Sequence, residues 1–267
     1  MNATEARTDP PLGRRARNRA ARHDQLLAAA SDIVEESGLE GLTMQAVADR
    51  VDCAVGTIYT YFASKSALIA ALQVAAVQTL LATYHQAAEM WDEALEESGL
   101  NDDAVESLVR VLAYGQLFVA GPELHPREFE FLQMLLNTPE RLVNPDDVRS
   151  VTPHALTLLA EGLVLVEAAV AAGALSAPDP ARNDDGFRRL LRWVGALNGA
   201  LLVANANVAA LPASDAEAFS ARAMGKLVTE DMLLAWGAPA RVLDAATEQL
   251  SRMQRAGSFL PRVGPSA

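Results

Sequence analysis

Apolar residues recur along the chain at helical spacing, and no stretch shows the alternation of a half-buried strand. Leu26, Leu27, Ala30, Ile33 and Val34 form one face of a first helix, and Gly38 stands where a C-terminal glycine would end it. A short second helix begins at Thr43, whose hydroxyl is placed to cap it, with Met44, Val47, Ala48 and Val51 on one face. A third runs from about Ala54 to Phe62. From Ser64 a long segment reaches about Glu97, with Leu68, Ile69, Leu72, Ala76, Leu80 and Thr83 facing inward. Later helices are predicted over 102–120, 126–137, 154–173, 184–210, 215–236 and 239–256, separated by prolines that include Pro122, Pro145, Pro153 and Pro212. The expected fold is all-α. It comprises an N-terminal three-helix helix-turn-helix domain joined by a long helix to a C-terminal helical domain. Helix 154–173 is apolar nearly all round and is expected to be central and buried, with Glu161 interrupting it.

The third helix has two unlike sides. At about 100° per residue, Val55, Ile58 and Phe62 form an inward stripe. Gly56, Thr57 and Thr60 lie opposite, and Tyr59 and Tyr61 flank the stripe. A short helix with a small, polar outer face fits a DNA major groove about 12 Å wide. Lys65 follows the cap Ser64 in the first turn of the next helix, where a positive charge opposes the helix macrodipole. A phosphate held by that helix N-terminus and the ammonium would account for it. Ordinary amphipathic tyrosines at a domain boundary are the alternative.

Residues from Leu26 to Leu68 resemble the TetR family of bacterial transcription regulators. The matching pieces are Gly38-Leu39, Gly41-Leu42-Thr43-Met44, Ala46-Val47-Ala48, Val55-Gly56-Thr57-Ile58-Tyr59, Tyr61-Phe62, Ser64-Lys65 and Leu68. The resemblance implies a homodimer in which the third helix reads the major groove of a double-stranded operator. By position, Thr43, Tyr59, Tyr61 and Lys65 look like phosphate contacts, and Val55, Gly56, Thr57 and Thr60 sit where the family reads base edges. Arg17 and Arg19 join them from the arginine-rich stretch Arg14–Arg22, which carries no acidic residue. The chain departs from the family at Asp52, where glycine is usual, and at Ala54, where a serine or threonine often caps the third helix. Asp tolerates the left-handed conformation that this turn needs. Cys53 reads as a small buried hydrophobe, with a redox sensor as the alternative. The implied organisation is a flexible basic arm (1–16), a helix-turn-helix domain (17–65), a ligand-binding and dimerisation domain (66–256) and a flexible tail (257–267).

Charge changes this picture in one respect. The net charge of −12 argues against nucleic acid if taken as a whole. Residues 1–65 hold eight basic and nine acidic groups, however, against 14 and 25 in the remainder, so the acidity belongs to the C-terminal part. The single cysteine and the absence of a signal-like apolar segment point to the cytoplasm, and the stretch Leu156–Leu175 carries Glu161 and Glu167, which argues against a membrane span. None of the four histidines has a glutamate three residues before it, and HExxH, GxxxxGK[ST], GxSxG and GxGxxG are missing. Catalysis, metal and cofactor are therefore not expected.

A small-molecule effector is. Trp91, Tyr114, Phe118, Phe129, Phe131, Met134 and Trp193 exceed what one core stripe requires and are candidates to line its pocket, with plain core packing as the alternative. Glu161 is a candidate partner for a cationic ligand. Gly195 and Gly199, with Ala221 and Gly225, would let two helices approach a partner subunit, or one another within a subunit. The sequence reading is a ligand-responsive repressor released from a pseudo-palindromic operator by a small apolar molecule. A helical binding module with an unused helix-turn-helix, and an activator, remain the other readings.

Overall fold

A computed structural model describes residues 13–137, 143–179, 181, 184–205 and 217–261. The predicted arm up to residue 12, the helix ends at 206–210 and 215–216, and the last six residues of the predicted tail lie outside that set. Every regular element among the described residues is a helix: α1 (Arg14–Gly41), α2 (Met44–Arg50), α3 (Val55–Tyr59), α4 (Lys65–Ser98), α5 (Asp103–Leu124), α6 (Pro126–Asn137), α7 (Pro145–Ala171), α8 (Gly186–Asn205), α9 (Ala221–Ala235) and α10 (Ala240–Ala256). The chain forms two compact units, Met1–Gln73 with Thr138–Val151, and Val74–Asn137 with Thr152–Ala267. Helices α4 and α7 each start in the first unit and end in the second.

In the first unit, α1 buries Leu26, Ala30, Ile33 and Val34, as its spacing requires. Gly38 takes φ 66°, a conformation that costs glycine little, and breaks the helical path before Leu39. The helix itself begins at Arg14, so the basic cluster forms its first turns, where the sequence placed the end of a flexible arm. Leu42, Met44, Val47, Ala48, Ile58, Phe62, Leu68 and Ile69 complete the core.

In the second unit the central helix is α5, not α7. Its residues Leu108, Val109, Val111 and Ala113 are fully enclosed. Asp102 caps it, accepting from Ala104 N and Val105 N at 3.1 Å. Helix α7 leaves Leu156 and Val164 half exposed, and its outward positions include Thr157, Ala160, Glu167 and Ala168. Alanine counts as apolar in a periodicity but loses little on exposure, which is why the pattern overstated burial. Prolines also proved weaker breaks than predicted. Pro145 opens α7 in its first turn, where a missing N–H costs nothing, while Pro122 and Pro153 lie within α5 and α7. Helices α4, α5 and α7 are long and apolar enough to cross a membrane by length and composition, although 78% of the α5 stretch is buried inside the protein.

Two polar anchors organise this unit. Trp91 Nε1 donates to Phe259 O at 2.8 Å and the two rings stack, so the described part of the predicted tail packs onto the core. Arg189 is 2% exposed; it grips Asp184 at 2.6 Å, donates to Ser176 O at 2.8 Å and lies over the Trp236 ring. Its guanidinium holds the Asp184 carboxyl below the usual carboxylate range, against a smaller opposing effect of burial. That stabilisation is present above the ordinary carboxylate pKa and is lost as pH falls through the lowered folded value. Arg189→Ala is expected to cost about 3 kcal/mol in urea denaturation at neutral pH. It should also remove Asp184's share of the acid-dependent loss; an unchanged neutral-pH midpoint would contradict the assignment.

Candidate functional site

The helix-turn-helix is held by backbone geometry more than by side-chain caps. Thr43 Oγ1 accepts from Ala46 N at 3.0 Å and opens α2. At its other end Asp52 adopts φ 50°, Cys53 N donates to Ala48 O at 3.0 Å and Asp52 N to Asp49 O at 3.3 Å. This is a Schellman closure with aspartate in the position glycine normally fills. Cys53 is half-buried. Ala54 supplies no side-chain cap to α3, so the helix starts only with Thr57 N donating to Ala54 O at 2.8 Å.

Helix α3 is anchored by Ile58, fully buried, and by Phe62 just after it. Gly56, Tyr59 and Thr60 are exposed, and Val55, Thr57 and Tyr61 half-buried. Thr60 turns its hydroxyl back to Thr57 O at 2.7 Å. From α1, Arg19 reaches Thr60 O at 3.4 Å and places its guanidinium 5.1 Å from the centre of the Tyr61 ring. Arg19, Thr60 and Tyr61 thus form one basic edge beside the open face of α3, with Arg17 exposed on α1.

Lys65 has a structural partner that the sequence did not suggest. Its Nζ donates to Leu39 O at 2.7 Å, just beyond the Gly38 break. The charge opposed to the α4 dipole is therefore used inside the unit, and the ammonium keeps two further donor hydrogens. Ser64 caps α4 through Ala67 N at 3.0 Å, and Ser66 Oγ donates to Asp147 Oδ2 at 2.5 Å while accepting from Asn144 N at 2.7 Å.

The second unit contains a partly open, largely apolar cleft with a cavity volume of about 50 Å³. Tyr114, Phe118 and Phe129 line it together with Leu80, Thr83, Tyr84, Leu117, Leu124, His125 and Leu158. Five candidates lie elsewhere. Trp91 is in the core against Phe259, and Trp193 donates to Thr229 Oγ1 at 3.0 Å. Met134 is half-buried outside the lining, and Phe131 is buried. Glu161 lies outside that lining, with its Oε1 2.8 Å from His85 Nε2. Thr83, Tyr84 and His125 were missed; the available signal was a threonine in the inward stripe of a long apolar helix. Burial, then the charges of Glu161 and Asp92, pushes the Tyr84 phenol up to about 12. Burial raises Tyr114 as well, so both remain protonated at neutral pH.

The four proposed small interface residues separate into two pairs. Gly195 and Gly199 of α8 are exposed with open space where a Cβ would stand. Gly225 is buried: a Cβ there would meet Val119 Cγ1 at 2.7 Å, so this glycine serves packing of α9 on α5. Ala221 also packs against the unit's core. Around Gly195 and Gly199, α8 exposes Phe187, Leu191, Leu202 and Val203, and α9 exposes Leu227 and Leu234.

Residues 26–72 match the family model described as bacterial regulatory proteins, tetR family. A 48-residue stretch is 48% identical to the HTH-type transcriptional repressor KstR of Mycobacterium tuberculosis, covering 18% of this chain and 22% of that protein. The match therefore spans less than a quarter of the relative's length. Among solved structures, RolR in complex with resorcinol aligns over 93% of this chain and all of its own, with TM-score 0.52 and 16% identity. A TetR-family regulator from Agrobacterium tumefaciens aligns over 82% and 99%, with TM-score 0.53 and 20% identity. These likenesses show a shared fold. From the Lys65 geometry, Lys65→Ala is expected to speed amide exchange across Gly38–Leu42 about tenfold. Unchanged exchange would mean that the bond to Leu39 O does not hold this break.

Proposed function

We propose that the chain, whose residues 26–72 match the tetR-family model, is a cytoplasmic, homodimeric repressor of that family and not an enzyme. In this reading it binds a pseudo-palindromic operator and is released by a small, mainly apolar effector in the α4–α5–α6–α7 cavity. The observation that carries the reading is the outer face of α3, where Gly56 and Thr60 stand open to solvent beside the Arg19–Tyr61 edge. Val55, Gly56, Thr57 and Thr60 would read base edges and thymine methyls, with Thr43, Tyr59, Tyr61, Lys65, Arg17 and Arg19 on phosphates. The repressor relative supports the direction of regulation, and the resorcinol complex of RolR supports an effector in this fold.

The exposed apolar side chains of α8 and α9 supply the dimer surface, with Gly195 and Gly199 admitting the partner's backbone. Effector release then requires a form that binds ligand better and holds the two recognition helices at a different spacing. Helices α4 and α7 are the continuous paths for that change. Leu158 of α7 lines the cavity, and Asp147 of the same helix holds Ser66 at the start of α4. The acidic second unit repels DNA and limits non-specific binding.

Selection from random duplex DNA tests this. A symmetric site is expected, and no enrichment above background would sink the proposal. On that site Lys65→Ala should lower affinity for all sequences alike and reduce the salt slope by about 0.9. Thr57→Ala should instead change which bases are preferred; a uniform loss would contradict base reading there. Leu202→Glu should convert the sedimenting species from dimer to monomer, and an unchanged dimer would place the interface on another face.

A further inference from the structure

Three hydroxyl-bearing side chains line the cavity, Thr83, Tyr84 and Tyr114, with Tyr114 OH donating to Leu158 O at 3.4 Å, and Thr83 is the one held on two sides. Thr83 Oγ1 donates its single proton to Thr79 O at 3.0 Å and lies 2.7 Å from His125 Nε2. A hydroxyl has one proton and two lone pairs, so the imidazole is the donor in that second bond. One lone pair of Thr83 Oγ1 is left at the cavity wall. His125 is itself nearly buried and held by backbone bonds on both sides, its N to Gly121 O at 2.8 Å and its O from Phe129 N at 2.9 Å. Thr83 Oγ1 therefore accepts a proton and does not offer one. At Thr83 the wall selects a ligand group that donates.

The rest of the lining constrains charge and shape. None of the described lining residues is Lys, Arg, Asp or Glu. Of the acidic groups near the lining in sequence, Glu123 and Glu130 are exposed, Glu161 lies 2.8 Å from His85 Nε2, and Glu128 lies 3.9 Å from His125 Nδ1. A carboxylate or ammonium ligand would lose its hydration with no Lys, Arg, Asp or Glu side chain in the lining to replace it. Tyr84 and Tyr114 meet edge-on at 5.4 Å and 73°, as do Phe118 and Phe129 at 5.7 Å and 76°. Such walls suit a flat ring placed edge-to-face among them.

Resting on the reading of this cavity as the effector site, we infer that the effector is an uncharged ring compound bearing a hydroxyl, whose proton is accepted by Thr83 Oγ1 while His125 holds that oxygen in place. The hydroxyl sets orientation and the apolar walls supply most of the affinity. Thr83 and His125 are thus specificity-determining residues, 42 positions apart in the chain.

Calorimetry on the full-length protein with 4-ethylphenol, 4-ethyltoluene and 4-ethylbenzoate reads each element separately. The phenol should bind about tenfold tighter than the toluene, the effect of one buried neutral hydrogen bond of about 1.4 kcal/mol. The benzoate should bind more weakly than both. Thr83→Val should erase the preference for the phenol while leaving 4-ethyltoluene binding within about twofold, and Thr83→Ser should keep the preference. Equal binding of phenol and toluene to the wild type, or a preference that survives Thr83→Val, overturns the acceptor role. Tightest binding of the benzoate overturns the uncharged ligand. Failure of all three to bind at millimolar concentration overturns the effector-site reading itself, a result distinct from the others.

Discussion

A continuous α-helix transmits displacement along its axis, because bending it sharply sacrifices backbone hydrogen bonds. In the proposed mechanism helix α4, which starts in the first unit and ends in the second, carries that constraint. Its first turn is tied to α1 through Lys65 and Leu39 O and to the start of α7 through Ser66 and Asp147. Two turns and more further on, the same helix carries Thr83 and Tyr84 into the cavity lining and then Trp91 into the core. The residues that set the first unit's geometry and those that would sense a ligand therefore share one backbone. Helix α7 repeats the arrangement, with Asp147 at one end and Leu158 in the lining.

The helix-turn-helix was legible in the sequence because its determinants are local. The Thr43 cap, the aspartate in a positive-φ turn and the Val55–Ile58–Phe62 stripe each act within about four residues. The cavity depends on pairs distant in the chain. Thr83 and His125 meet only once α4 and α5 have packed, and nothing in either neighbourhood announces the other. Large aromatics were a poor guide: Trp91 and Trp193 each found a hydrogen-bond partner in the core, the usual outcome for a buried indole. Small residues misled for a related reason. A glycine four residues from another permits close approach without naming the partner, and Gly225 approaches Val119 of its own subunit while Gly195 and Gly199 face outward.

Charge required the same separation of local from global. Most of the net −12 belongs to the second unit's sequence, while the first carries an arginine cluster on the opening turns of α1. Lys65 shows that a residue placed against local preference has a reason, and that the reason is not single. One donor of its ammonium closes the end of α1, and the remaining two are free to meet a phosphate at the same helix N-terminus. In the proposed reading, stability of the turn and affinity for DNA are coupled through that one side chain.

The central claim is that two copies of α3 read DNA from one symmetric dimer. Hydroxyl-radical footprinting of the complex on its selected duplex tests this most directly. The account predicts two protected patches related by two-fold symmetry, with major-groove centres about 34–36 Å apart or at a multiple of that. A single asymmetric patch, or protection spread evenly along the duplex, would contradict it.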